Sequence, residues 1–336
     1  MNWVGIDIGG ANLKAADGAG WAAHRSFALW KEPDRLAARL VDLLEPAAER
    51  GRVAVTMTGE LADCFASKAA GVRRILEAVR RAVRGARVRV YRNDGELVSV
   101  EQALAAPLAV AAANWHALAA FAARYAAGPA LLLDVGSTTT DIIPLVNGCP
   151  AGEGRDDVGR LLHGELVYTG VERSPVCAVA PRVVPYRGRR CPPAQELFAT
   201  MRDVYLTLGQ LAEEPACHET ADGRPATRAA AVRRLARVLC ADPSQFTARD
   251  AARLAESVAA AQARLIARAV GQVGTRMPSP PETWLAAGHG DFLVRAVQER
   301  AGYGGPTRYL SHVLGPRLSR VATAHALAVL ARERSG

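Results

Sequence analysis

The first half of the chain alternates short apolar runs, typical of buried strands, with stretches in which apolar residues recur at helical spacing. This pattern predicts strands at residues 3–8, 11–16, 21–29, 52–58 and 87–91, and helices at residues 33–50, 68–84 and 107–126. Strands that alternate with helices indicate an α/β fold, in which helices cover the faces of a sheet.

The second half is less regular. It predicts a hairpin at 131–146, short strands and loops at 148–193, a strand at 283–287, and helices at 194–208, 227–240, 247–273, 292–301 and 319–332. Segment 148–193 is rich in Gly, Pro, Val and Arg and has no helical period, which is why we assign no helix there.

Two segments share one layout. In each, a buried strand ends in Asp-x-Gly and a second strand follows a turn of small residues, at Asp7-Ile8-Gly9 and at Asp134-Val135-Gly136. A repeated unit suggests a duplicated architecture. We therefore predict two lobes, residues 1–127 and residues 128–336, with substrate-binding segments inserted in the second. The last helix is a candidate to return to the first lobe.

The 336 residues carry a formal net charge of +9, which raises the question of nucleic-acid binding. The basic residues are nearly all arginine and are spread along the chain. Their densest run, residues 73–89, fits a solvated helix face as well as a surface that attracts anionic substrates. We predict no nucleic-acid partner.

The six cysteines lack the spacing of a metal knuckle or a redox pair, and Cys217-His218 has no second half. Reduced thiols in a cytosolic protein are the simplest account. A strand begins within three residues of the N-terminus, and no apolar run has membrane-spanning length. We expect a cytoplasmic protein with no membrane partner and leave the oligomeric state open.

The two Asp-x-Gly turns are the first candidates for chemistry. A carboxylate at the end of a strand can hold a hydrated Mg²⁺ ion, so Asp7 and Asp134 are the predicted metal ligands. Gly9, Gly10 and Gly136 let backbone N–H groups approach phosphate oxygens. A tight hairpin alone explains one such turn. Two turns that face each other across a cleft would hold a polyphosphate from both sides.

The second turn also carries a row of hydroxyl groups, from Ser137 to Thr140, between Asp134 and Asp141. A threonine-rich edge strand explains the hydroxyls. It does not explain the aspartates on both sides, so the pattern favours phosphate and metal binding.

Gly288-His289-Gly290 follows a strand and opens into a helix, whose N-terminus can face an anion or a flat ring. The order of the Asp7 turn, the Thr58-Gly59-Glu60 connection, the Asp134 turn and this loop resembles the phosphate-one, connection, phosphate-two and adenosine elements of actin, sugar kinases and DnaK-type chaperones. The resemblance spans nearly the whole chain. It implies a two-lobed actin-like ATPase fold, a duplicated ribonuclease-H-like architecture with a central cleft.

Five segments also resemble a narrower family, the hydantoinase/oxoprolinase-related proteins linked to tetrahydromethanopterin-dependent one-carbon metabolism. They are residues 5–12, 112–115, 168–177, 203–206 and 220–227. The resemblance implies a transferase of methanofuran or methylofuran biosynthesis. Such an enzyme condenses an aminomethylfuran-methyl diphosphate with the phenol of a γ-glutamyltyramine-type or tyrosine-type substrate. An aryl ether forms and pyrophosphate leaves.

For that reaction, Mg²⁺ on Asp7 and Asp134 would neutralise the departing pyrophosphate. The implied phosphate-binding residues are Gly9, Gly10, Asn12, Lys14, Gly136, Ser137, Thr138 and Thr139. The phenol has a reference pKa of about 10 and needs a base. Glu60 and Asp141 are the two candidates, and the sequence does not choose between them.

The organic parts of the substrates would need further residues. Asn114 lies on a helical stretch and is either a packed helix residue or a ligand of the amine or furan oxygen. Arg173 and the Asp222-Gly223-Arg224 loop are either a surface turn or the site of the glutamyl carboxylate, which arginine binds in a fork. The predicted substrate-binding residues are Asn114, Arg173, Asp222, Arg224, Gly288 and Gly290.

The chain departs from a sugar kinase in two places. Ala11-Asn12 stands where kinases usually present hydroxyl-bearing residues, and His289 and Asp291 crowd the expected place of adenine. ATP binding therefore stays open but is not favoured. The alternatives are an ATP-dependent small-molecule kinase or a hydantoinase/oxoprolinase-type enzyme of the same fold. A third hypothesis is a nucleotide switch with a protein partner, but the sequence shows no peptide-binding appendage.

Overall fold

A computed structural model describes residues 3–47 and 51–334. Its strands are β1 (Val4–Ile8), β2 (Asn12–Ala16), β3 (Ala22–Ser26), β4 (Arg52–Met57), β5 (Arg87–Tyr91), β6 (Leu97–Val98), β7 (Ala130–Val135), β8 (Thr140–Val146), β9 (Cys149–Pro150), β10 (Leu166–Val167), β11 (Val184–Tyr186), β12 (Arg189–Cys191), β13 (Thr283–Ala287) and β14 (Thr307–Tyr309).

Its helices are α1 (Leu36–Leu44), α2 (Lys68–Ala82), α3 (Val100–Ala105), α4 (Asn114–Ala122), α5 (Asp157–Leu162), α6 (Val176–Val179), α7 (Met201–Leu208), α8 (Arg228–Val238), α9 (Ala248–Gly274), α10 (Leu293–Ala301), α11 (Leu310–Ser319) and α12 (Ala322–Glu333). No helix in the described part of the chain is both long and apolar enough to cross a membrane.

The two main sheets repeat one topology. In the first, the strand order is β3-β2-β1-β4-β5-β6, with β1 antiparallel to β2 and parallel to β4. In the second, the order is β10-β8-β7-β13-β14, with β7 antiparallel to β8 and parallel to β13. The predicted α/β fold with a duplicated ribonuclease-H-like unit is therefore confirmed by the strand order and directions.

A layer of two helices lies between these sheets. Helix α12 packs on β1, β2 and β4, helix α4 packs on β7, β8 and β9, and the two helices contact each other. The shared core includes Trp3 and Ala54 from the first sheet and Leu132, Ile143 and Leu285 from the second. The end of the chain thus packs on the first sheet, and apolar contacts join the two sheets continuously. The domain boundary near residue 128 stays a prediction.

Several predicted elements have different ends. The helix predicted over residues 107–126 is interrupted: Pro107–Ala109 forms a 3-10 turn, Ala112 has a positive φ of 47°, and α4 begins only at Asn114. The backbone N–H of Ala112 lies near the carboxyl group of Glu60 and lowers its pKa. The positive φ of Ala112 is incompatible with a continuous α-helix.

The helix predicted over residues 194–208 begins instead at Met201, where Thr200 and Asp203 form a capping box. The helix predicted over residues 33–50 is regular from Leu36 to Leu44, and residues 48–50 lie outside the described part. The sequence pattern did not predict α3, α11, β6 or β14, which are short or, in α11, broken at Gly315-Pro316. The prediction of no helix at residues 148–193 was wrong, since the short helices α5 and α6 lie there.

Candidate active site

The two Asp-x-Gly turns have the same backbone geometry. Gly9 N donates to Asn12 O at 2.9 Å, and Gly136 N donates to Thr139 O at 2.9 Å. The N–H groups expected to bind phosphate at Gly9 and Gly136 are therefore used inside their own turns. Gly10, by contrast, faces open space in the direction that a side chain would take.

Asp7 lies opposite Lys14 in the first hairpin, and Lys14 Nζ is 3.8 Å from Asp7 Oδ2. The aspartate is 4% exposed, and its Oδ1 has no hydrogen-bond partner. Burial raises the pKa of Asp7, and the nearby charge of Lys14 only partly offsets this effect. The negative charge of the ionised carboxylate is therefore only partly balanced within the protein.

Asp134 lies opposite Asp141 in the second hairpin. Burial, followed by the charges of Asp141 and Asp7, raises the pKa of Asp134 to about 7, while Lys14 and His289 oppose the shift. Groups from both hairpins thus act on one carboxylate. The two turns therefore lie near each other, in the region where the two-lobed fold is expected to have its cleft.

These carboxylates fit a divalent cation. Within the described ranges, no three His, Cys, Asp or Glu side chains form a ready-made metal cluster. Mg²⁺ does not need one, since it usually binds one or two carboxylates, substrate phosphates and water. Such an ion would give the Oδ1 of Asp7 a partner and would lower the raised pKa of Asp134.

Residues 170–173 pack against the second hairpin turn and bind it through backbone hydrogen bonds. Val171 N donates to Gly136 O, and both Glu172 N and Arg173 N donate to Ser137 O, at 2.9–3.0 Å. A Cβ on Gly170 would lie 2.5 Å from Gly136 O and from Ser137 C. Only glycine allows this approach, which fixes the turn and leaves the side chains of Ser137 and Thr138 partly exposed.

The Gly288-His289-Gly290 loop packs directly on the second hairpin. Gly290 N donates to Val135 O at 3.0 Å, and a Cβ on Gly288, whose φ is 79°, would meet Val135 and Asp134. These glycines therefore provide close backbone packing, and their role as substrate contacts stays a prediction. His289 lies between them with a side chain that is 40% exposed.

Glu172 and Arg202, which were not predicted as site residues, form a chain of polar contacts with His289 of this loop. His289 Nε2 lies 3.0 Å from Glu172 Oε1, and Arg202 Nη2 bonds to Glu172 Oε2. Burial opposes ionisation of Glu172, but its bonds to His289 and Arg202 outweigh burial and lower its pKa to about 2. Glu172 lies in segment 168–177, one of the five that resemble the hydantoinase/oxoprolinase-related proteins. Nothing in the sequence indicates that it pairs with His289 and Arg202.

Asp141 and Glu60, the two candidate bases, are both buried. Asp141 Oδ1 accepts a hydrogen bond of 2.7 Å from Arg160, whose guanidinium stacks 4.3 Å from the Trp115 ring. Burial raises the pKa of Asp141 although Arg160 opposes it. Glu60 is 1% exposed, its Oε2 has no partner, and burial together with Asp157 raises its pKa to about 7.

The predicted substrate contacts divide into two groups. Asn114 is the first residue of α4 and is half-buried beside Trp115, and Arg173 stacks 4.9 Å from the Trp30 ring across the two sheets. The backbone N–H of Arg173 donates to Ser137 O in the second turn, and the substrate-binding roles of Asn114 and Arg173 stay predictions.

The loop at residues 222–224 belongs to another part of the second lobe. Asp222 bonds to Arg234 at 2.9 Å and to Arg237 at 3.4 Å, and the buried Arg234 also binds Asp203. Arg224 is exposed and 3.9 Å from Asp222. Asp222 is thus already occupied in a local charge network, which argues against its predicted role in binding substrate.

Solved structures that align with this chain in backbone path have low sequence identity to it. Component A of the (R)-2-hydroxyglutaryl-CoA dehydratase of Acidaminococcus fermentans aligns with a TM-score of 0.47 at 14% identity, over 100% of this chain and 99% of that one. An archaeal actin homologue aligns with a TM-score of 0.43 at 12% identity, over 99% of this chain and 100% of that one.

Sequence comparison gives closer relatives. A (4-{4-[2-(gamma-L-glutamylamino)ethyl]phenoxymethyl}furan-2-yl)methanamine synthase of Methanocaldococcus jannaschii is 38% identical over 243 residues, which cover 71% of this chain and 72% of the relative. A protein of the same name from Methanococcus vannielii is 34% identical over 37% of this chain and 55% of the relative. The hydantoinase/oxoprolinase family model matches residues 51–333. The chain therefore belongs to the hydantoinase/oxoprolinase family.

Proposed function

We propose that this protein is a transferase that joins a furan-methyl diphosphate to a phenol and releases pyrophosphate. The compound named for its relatives contains a phenoxymethyl–furan ether, with an aminomethyl group on the furan and a γ-glutamylaminoethyl group on the phenol ring. The corresponding substrates are an aminomethylfuran-methyl diphosphate and γ-glutamyltyramine. The observation that carries the proposal is the pair of Asp-x-Gly turns, in which Asp7 is buried with an unpartnered Oδ1 and Asp134 lies opposite a second carboxylate, Asp141.

The residues of the two hairpins would hold the leaving group. Lys14 places an ammonium group beside Asp7, on the side where phosphate oxygens would lie. Gly10 leaves space for a close approach of the backbone, and Ser137 and Thr138 present hydroxyls from the opposite turn. Donors arranged before the reaction stabilise the charge that develops on the departing oxygen.

Asp7 and Asp134 are the residues that would hold Mg²⁺, which when bound supplies positive charge to the pyrophosphate group. Without that charge, the acids of the two hairpins repel a diphosphate: Asp7 and Asp141, which are buried, and Asp134, which is half-buried. The protein alone offers Lys14 as the cation beside Asp7. We therefore expect diphosphate binding to depend on the divalent ion.

The test is a direct assay without ATP. The purified protein, the furan diphosphate, γ-glutamyltyramine and Mg²⁺ should release pyrophosphate and form the ether in equal amounts, as measured by an enzyme-coupled assay and mass spectrometry. D7N and D134N should lose at least about 100-fold in rate. In calorimetry they should also lose Mg²⁺-dependent pyrophosphate binding while keeping their fold.

Two outcomes would overturn the proposal. One is the absence of pyrophosphate release across a panel of phenols. The other is a product that forms only with ATP, accompanied by ATP binding in calorimetry, which would favour the ATP-dependent kinase alternative on the same fold.

A further inference from the structure

His289 occupies a position from which it can act on the phenol. Its loop is anchored to Val135 by the hydrogen bond of Gly290, and its charge acts on Asp134, the predicted metal ligand. Its side chain is 40% exposed, which leaves it accessible from solvent. The side chain therefore lies beside the predicted leaving-group site without being sealed in the core.

Glu172 holds this imidazole rigidly. The backbone N–H of Glu172 donates to Ser137 O at 3.0 Å, so the residue is tied to the second hairpin turn. Its side chain is held from one side by His289 and from the other by Arg202. The carboxylate thus has two fixed partners, and its orientation is set by the same turn that would bind phosphate.

The hydrogen bond also sets the proton positions on the ring. An ionised carboxylate can only accept, so the proton between the two groups sits on His289 Nε2. In the neutral imidazole, Nδ1 then carries the free electron pair. Arg202 pairs with the other oxygen of the carboxylate, so both oxygens of Glu172 have a partner.

We propose that His289, positioned by Glu172, accepts the proton of the phenol during ether formation. The inference rests on the proposed function. The phenol oxygen bonds to the methylene carbon as the bond from that carbon to the diphosphate oxygen breaks. The electron pair of the broken bond leaves on pyrophosphate, and the phenol proton moves to His289 Nδ1 and from there to solvent.

The two acids predicted as bases are less suited to this role. Glu60 is 1% exposed, which leaves no room for a phenol against its carboxylate. Asp141 is 7% exposed and is bound at 2.7 Å to Arg160, itself 2% exposed, so its carboxylate is enclosed and already has a partner. His289 combines an open side chain with a partner that orients it.

The experiment varies the acidity of the phenol. Wild type and H289Q are assayed for pyrophosphate release with γ-glutamyltyramine and with ring-fluorinated analogues that ionise near neutral pH. H289Q should lose about 100-fold in kcat/KM with the parent phenol. The loss should shrink to within about tenfold with the most acidic analogue, because an ionised phenol needs no base. The KM for the diphosphate and the calorimetric Kd of the phenol should stay unchanged.

Two further variants complete the design. E172Q should show a smaller loss than H289Q, which also shrinks with acidic phenols, as expected of a positioning residue. H163Q is the matched control, since His163 pairs with Glu153 at 3.1 Å outside the cleft, and it should retain full activity.

A loss in H289Q that is equal for all phenols and comes with a raised KM for the diphosphate would make His289 a phosphate ligand and overturn the inference. Full activity of H289Q would overturn it as well, while leaving the proposed function intact. If wild type itself releases no pyrophosphate, the proposed function fails first.

Discussion

At the scale of single residues, Glu60 has an environment that makes ionisation costly. It lies just after β4, it is 1% exposed, and its Oε2 has no hydrogen-bond partner. Burial and the charge of Asp157 raise its pKa to about 7, although Lys68 opposes the shift. A carboxyl group whose pKa is higher in the folded than in the unfolded chain binds its proton more tightly when folded. Its contribution to stability therefore falls as pH rises from about 4.5 to 7.

This predicts a pH-dependent effect of E60Q. At pH 5 the variant and wild type should unfold at similar urea concentrations, because Glu60 is then protonated in the folded protein. At pH 8 the variant should be more stable by up to about 3 kcal/mol, since the amide avoids the cost of a buried charge. Urea unfolding at both pH values measures the difference. A stability gap that is the same at both would mean that Glu60 is ionised throughout.

At the scale of elements, the segment of residues 170–173 sets the position of the second hairpin turn. G170A would place a methyl group 2.5 Å from Gly136 O and Ser137 C, and backbone cannot move aside as a side chain can. We expect a loss of about 1–3 kcal/mol in stability. Pyrophosphate binding should be lost more completely, because the turn that presents Ser137 is displaced.

The control is G271A. Gly271 lies inside α9 with open space where a Cβ would be placed, so alanine should be neutral or stabilise by up to about 1 kcal/mol. Thermal unfolding measures the stability of both variants, and calorimetry measures their binding of pyrophosphate. Normal binding by G170A would show that the turn does not depend on this contact.

Sequence patterns predicted the elements whose local pattern of apolar residues matches their burial in the fold. The strands of β1 and β7 are apolar because both faces are covered, so they were visible as short buried runs that end in Asp-x-Gly. The start of α4 was not visible, since it follows a positive φ at Ala112, a residue type that does not indicate such a turn. The sequence indicated Asp7 and Asp134 as candidates but not the pairing of Glu172 with His289, which are distant in the chain.

At the scale of the whole molecule, polar contacts join the two lobes in addition to the shared helical layer. Lys68 at the start of α2 pairs with Asp157 at the start of α5 at 2.5 Å, and Asn93 donates to Arg155 O at 2.6 Å. Both members of this pair also act on Glu60: the charge of Asp157 raises the pKa of Glu60, and the charge of Lys68 lowers it. The three residues therefore form one charge group at the junction of the lobes, with two acids and one base.

This arrangement predicts unequal effects of breaking the pair. K68M leaves Asp157 and Glu60 without their shared cation and should cost about 1–3 kcal/mol at pH 8. D157N leaves Lys68 beside Glu60, favours the ionised carboxylate and should cost less. R295M removes one partner of an exposed pair within α10 and should change stability by no more than about 0.5 kcal/mol. Urea unfolding gives all three values. If D157N is the more costly variant, or if R295M costs as much as K68M, the two lobes do not share this charge group, and the acids of the cleft are balanced in some other way.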